Sequence, residues 1–137
     1  MDHGLDICRE IRSARAVGQV RCGVIAGRMS IGDAAGSFGL ARNGAIYRAI
    51  PRTEADAIAI HVLHIGRAHP STIMKRDTAV DLWQKFIALF EGEDTVFATN
   101  ASTDLASWTP ATQATFDIGV LVLGTTKVGC FWVEEED

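Results

Sequence analysis

Long apolar runs are missing from this chain of 137 residues. Stretches such as residues 120–123 fall far short of the ~20 apolar residues that cross a bilayer, so no membrane contact is expected. No basic-then-apolar leader opens the sequence, and a cytoplasmic location is the expectation. Cysteine is scarce. Cys8, Cys22 and Cys130 are odd in number and match neither a metal-knuckle nor a redox spacing, so three buried, reduced thiols are expected. The glycines at 18, 23, 27 and 32 are never followed by Lys-Ser or Lys-Thr. Neither Gly-x-Gly-x-x-Gly nor Gly-x-Ser-x-Gly occurs. The familiar nucleotide-cofactor enzymes and serine hydrolases are thereby disfavoured, and no cofactor is expected.

Lysine is also missing from the first 52 residues, and what stands there instead is arginine. That half carries eight arginines (9, 12, 15, 21, 28, 42, 48, 52) against four acids, a net of +4. Residues 53–137 carry five basic residues against thirteen acids, a net of −8. A basic half followed by an acidic half suggests one surface for an anion and a second for something else. The length suits one ordinary domain, or a basic module over 1–52 joined to an acidic α/β domain over 53–137. Such a chain buries roughly two-thirds of the surface it exposes when unfolded.

Periodicity points to an α+β fold: an Arg-rich helical N-terminal part, then a small, mostly antiparallel sheet of three or four strands packed on one amphipathic helix over 77–90. Leu5, Ile7, Cys8, Ile11, Ala14 and Val17 lie at helical spacing, with Gly18 as the stop. Residues 19–27 read as helix or strand. Residues 57–65 alternate at Ile58, Ile60 and Val62, which favours a strand over a helix capped by Thr53. Val80, Trp83, Ile87 and Phe90 make the clearest helical face, between Asp77 and Gly92. Residues 95–99 read as a short strand, and residues 115–123 and 128–133 as a hairpin.

Residues 28–50 carry two readings. In one, Ser30 caps a helix, Gly39 makes the turn and a second helix runs over 41–50, projecting Arg42, Asn43 and Arg48. In the other, Asn43-Gly44 is a type I′ turn between strands. On the helical reading, the run AAGSFGLARNGAIYR resembles the helix-turn-helix core of bacterial DNA-binding regulators. The resemblance spans about fifteen residues. It implies a DNA-binding transcriptional regulator acting as a homodimer on paired half-sites. Arg42, Asn43 and Arg48 would read base edges, and Arg12, Arg15 and Arg28 would contact phosphates.

A second reading rests on the acidic end. Glu134, Glu135, Glu136 and Asp137 follow Phe131-Trp132-Val133. With Asp117, and with Glu91, Glu93 and Asp94 if the fold brings them near, they could form a face that blocks a basic protein partner, as immunity-type inhibitors do. A third and weaker reading is a hydrolase or nuclease using His61, His64 or His69, with Lys75-Arg76 steadying a phosphate. His61 and His64 share a face only if that segment is helical, and no further ligand pattern accompanies them, so no metal is expected. A binding protein is favoured over an enzyme, and no catalytic residue is assigned.

Overall fold

The computed structural model describes residues 3–136. Helix α1 (His3–Ala14) buries Ile7, Cys8 and Ile11 on one face, and Arg15 continues that row one turn later. Gly18, at φ +69°, turns the chain back into strand β1 (Gln19–Ala26). A Cβ there would lie 2.3 Å from the Glu134 carbonyl oxygen, so the close approach requires glycine. Ser30 caps helix α2 (Ile31–Ser37) by accepting from the Asp33 N–H at 3.2 Å. Gly39, at φ +78°, closes the other end, where the Leu40 N–H donates to Ala35 O at 2.9 Å. Strand β2 (Arg48–Ile50) leads through Pro51 into α3 (Arg52–His64), followed by α4 (Arg76–Ile87). Strands β3 (Val96–Thr99), β4 (Phe116–Leu123) and β5 (Lys127–Glu135) complete the chain.

The five strands form one antiparallel sheet in the order β1-β5-β4-β3-β2. Helices α1, α3 and α4 cover one face, packing on Ile118, Val120 and Val122 of β4 and on Phe131 and Val133 of β5. The short α2 covers the other, where Leu121, Cys130 and Trp132 meet Ala34, Ala35, Leu40 and Tyr47. Burial on both faces explains why β4 and β5 read as nearly continuous apolar runs instead of alternating ones.

The fold is α+β, as expected, and the expected helix over 77–90 is α4 extended by a 3-10 turn at Ala88–Phe90. Three expectations change. Residues 57–65 belong to a helix. Ala55, Ile58, Ala59, Val62 and Leu63 are its buried row, at a 3.6-residue period, and Ile60, on which the alternation depended, is only half-buried. The alanines at 55, 57 and 59 also favour helix over strand. Residues 41–50 form neither the second helix nor an Asn-Gly hairpin. Asn43 Oδ1 accepts from the Ala45 N–H at 3.0 Å and caps a single 3-10 turn (Gly44–Ile46). Tyr47 then turns inward, its ring meeting Trp132 edge-on at 5.9 Å and its hydroxyl donating to Ala41 O at 2.6 Å. That tertiary contact closes 41–47 as a loop, and Gly44 would weaken a helix there by about 1 kcal/mol. The sheet has five strands because residues 19–26 and 48–50 both join it. The charge step at residue 52 therefore coincides with no structural break, since β1 and β2 flank the strands of the acidic half.

Candidate functional site

The six arginine and asparagine positions assigned to DNA do not share a surface. Arg15 is 1% exposed. Arg12, on α1, donates to the Cys22 carbonyl oxygen at 2.9 Å. Arg28 is exposed just past β1, while Arg42 and Asn43 lie in the loop after α2, with Arg42 facing Asp33 at 3.6 Å. Arg48 is held by Glu54 and by the Ala101 carbonyl oxygen. β1 and β2 are opposite edges of a five-stranded sheet, roughly 19 Å apart. Arg12 and Arg48 thus stand on opposite flanks of the molecule.

The acidic set divides in a similar way. Asp117 is fully buried and accepts from Trp132 Nε1 at 3.1 Å, Asn100 Nδ2 at 3.1 Å and the Ala111 N–H at 3.0 Å. It organises the loop over 100–111 and presents nothing to a partner. Glu134 and Glu135 point to opposite faces of the sheet, as successive strand residues must. Glu134 pairs with Arg21 on the α2 face. Glu135 is buried against Arg15 at 2.6 Å. Glu136 is exposed, accepts from the Thr115 hydroxyl at 2.6 Å and makes no ion pair among the described residues. Asp137 lies outside the described residues. Glu93 belongs to the other end of β5, about 27 Å away, where it pairs with Lys127. Glu91, Glu93 and Asp94 therefore do not extend the Glu134–Glu136 face.

What converges at the C-terminal end of β5 is a buried charged cluster that the sequence did not reveal. Arg15 Nε donates to Val62 O at 2.9 Å, Nη1 to Val17 O at 2.6 Å and Nη2 to Glu135 Oε2. The Glu135 carboxylate also accepts the backbone N–H groups of Arg67 and Ala68 at 3.0–3.2 Å. Burial pushes its pKa up, but the Arg15 hydrogen bond and those N–H groups outweigh burial and hold it below the ordinary value. Arg67 Nη2 reaches the carbonyl oxygen of Leu105, which sits at φ +62°, the left-handed region. Outside this cluster a cleft of about 610 Å³ opens. Its walls are Val17, Gly18, Gln19, Ala68, His69, Ser71, Ala114 and residues 134–136.

His61 and His64 lie one turn apart on α3, as a helical segment requires, but the three histidines form no single site: His64 Nδ1 donates to Met74 O at 2.7 Å, His61 is exposed, and His69 lies in the cleft wall. His61 is held below its usual pKa by partial burial first, then by the Arg67 cation and His64. Among the described residues no group of three or more His, Cys, Asp or Glu is arranged to hold a metal ion. Lys75 and Arg76 stand exposed at the start of α4. No helix among the described residues is long and apolar enough to cross a membrane.

The sequence did carry a signal for the two central residues. Arg15 falls four residues after Ile11 on the apolar side of α1, and Glu135 falls two after Val133 on the inward side of β5. Both positions point inward by periodicity alone. Arg67 had no comparable signal, because its role depends on the loop after α3. Comparison of the chain with protein-family models, curated proteins and solved structures finds no match.

Proposed function

We propose that the chain is a non-enzymatic binding protein and that the cleft beyond β5 receives a cationic side chain of a protein partner. The observation that carries this reading is the state of the three glutamates at its wall. Glu134 and Glu135 are neutralised by Arg21 and Arg15, whereas Glu136, also in the wall, makes no ion pair among the described residues. Val17, 45% exposed, with Ala68 and Ala114 offers apolar wall to the aliphatic stem of a lysine or arginine, while Glu136 meets the charged head. The Arg15–Glu135–Arg67 cluster holds the cleft in shape. This reading keeps the acidic partner-binding expectation but narrows it from a broad face to one cleft.

The test is a pair of NMR titrations, one with a hexalysine peptide and one with a short DNA duplex. Hexalysine should shift the amides of Gln19, Ala68, Ala114 and Glu136, with an affinity that falls as salt is raised. Glu136→Gln should remove most of the response without changing the fold. A duplex that shifts Arg28 and Arg42, with no response to hexalysine, would favour the DNA reading instead.

A further inference from the structure

β1 is the longer of the two sheet edges, with eight residues paired to β5 on one side. In an antiparallel strand, the N–H and C=O of each residue point to one side, and successive residues alternate. The Gly27 N–H donates to Thr126 O at 2.8 Å, which places the odd-numbered residues toward β5. The Cys22 carbonyl oxygen is taken by Arg12 of α1, which places the even-numbered ones toward the open edge. Val20, Val24 and Ala26 therefore present backbone groups outward, with no strand beyond them among the described residues.

The flank of that edge is strongly basic. Arg9 lies one helical turn before Arg12 on the same side of α1. The opposite flank is identified by Glu10, which meets Lys85 of α4 at 3.3 Å. Arg28 follows β1 by two residues. Arg9, Arg12 and Arg28 are exposed and take part in no ion pair among the described residues. The Arg12 guanidinium occupies the middle carbonyl of the edge through a single solvent-exposed hydrogen bond, which an incoming strand can replace.

We infer that the free edge of β1 receives an extended acidic segment of another protein, added as a sixth strand. Its backbone pairs with Val20, Cys22 and Val24. Acidic side chains at every second position meet Arg9 and Arg12 on the α1 side. A second copy of this chain is a poorer occupant, because a two-fold pairing of β1 would set Arg9 and Arg12 against their own counterparts. The inference does not depend on the cleft, which meets β1 only at Gln19.

The experiment measures binding of the full chain to a fluorescein-labelled nine-residue peptide alternating Glu and Val. A Lys–Val peptide and a Glu–Val peptide N-methylated at alternate residues serve as comparisons. The Glu–Val peptide should bind, N-methylation along the pairing edge should weaken it at least tenfold, and the Lys–Val peptide, which the cleft can take, should leave the amides of Val20, Val24 and Ala26 unperturbed. The double variant Arg9→Glu/Arg12→Glu should exchange the two preferences, which also shows that the variant is folded. Amide exchange at Val20, Val24 and Ala26 should slow when peptide is added. Binding indifferent to N-methylation, or no slowing at those amides, overturns the inference. So does self-association of the chain in sedimentation, or a DNA duplex that perturbs Arg9 and Arg12 where the peptide does not.

Discussion

The two ends of β5 use the same chemistry at different depths. At the N-terminal end, Glu93 accepts from Lys127 Nζ at 2.7 Å and from the Thr126 N–H at 2.8 Å, in a half-open site where the lysine side chain is 31% exposed. At the C-terminal end, Glu135 accepts from Arg15 and from two backbone N–H groups, with only 4% of its surface exposed. Both carboxyls are held below the ordinary glutamate value. The difference lies in what happens when one partner is removed. Water can replace Lys127, whereas nothing replaces Arg15, so the buried end fixes the relation of α1, the loop after α3 and β5, and the exposed end adjusts only a turn.

Truncating Arg15 tests this contrast most strongly. Arg15→Ala should cost about 3–5 kcal/mol in urea unfolding, because it leaves the Glu135 carboxylate buried without its hydrogen-bonded counter-charge. The double replacement Arg15→Met/Glu135→Met should recover a large part of that loss, since neither ion remains to be desolvated. If the double variant is as unstable as the single one, packing and not charge dominates at this end. Glu135→Gln should fall between them, at about 2 kcal/mol, because it keeps an acceptor for the Arg67 and Ala68 N–H groups but leaves Arg15 unpaired.

The inward direction of both residues was legible, and their partnership was not. Arg15 and Glu135 are separated by 120 positions, and no local pattern couples such distant residues. The same limit explains the two misread segments. In α3, Ile58 and Val62 satisfy a period of two and a period of 3.6 at once, so only packing against α4 and the sheet decides. In residues 41–50, the deciding contact is the Tyr47 ring against Trp132, a residue 85 positions away. The helix α4, whose pattern fits one period only, and the β4–β5 hairpin, two short apolar runs on either side of a Gly-Thr-Thr turn, match the sequence reading. The cleft was half-visible: the four consecutive acids at 134–137 marked the place, but strand alternation sends Glu134 and Glu135 to opposite faces, each to its own arginine.

Acid sharpens the comparison next. A carboxyl whose folded pKa lies below the unfolded one contributes stability that is complete above the unfolded value. That contribution is lost as pH falls through the folded value. For both Glu93 and Glu135 the loss should therefore begin below about 4.5, the ordinary glutamate value. Unfolding free energy measured from pH 5 down to pH 2 should fall steadily in the natural chain. In Arg15→Met/Glu135→Met the fall should be shallower, because the buried carboxyl is gone. An unchanged slope would mean that other carboxylates carry the acid sensitivity.

The exposed end should respond least in stability and most visibly in titration. Glu93 is held at about 2 by the Lys127 hydrogen bond first and the Thr126 N–H second. Lys127→Met should leave the urea midpoint almost unchanged, yet move the Glu93 midpoint, followed by NMR, up toward 4.5. Salt should produce part of the same shift in the natural chain, because the Lys127 side chain is 31% exposed and its charge is open to screening. Glu135 in the same titration should respond less to salt, since it accepts from Arg15 and from two backbone N–H groups at fixed distance and its side chain is only 4% exposed. A Glu135 midpoint that moves with salt as far as that of Glu93 would mean that the C-terminal end opens to water, and the contrast between the two ends would disappear.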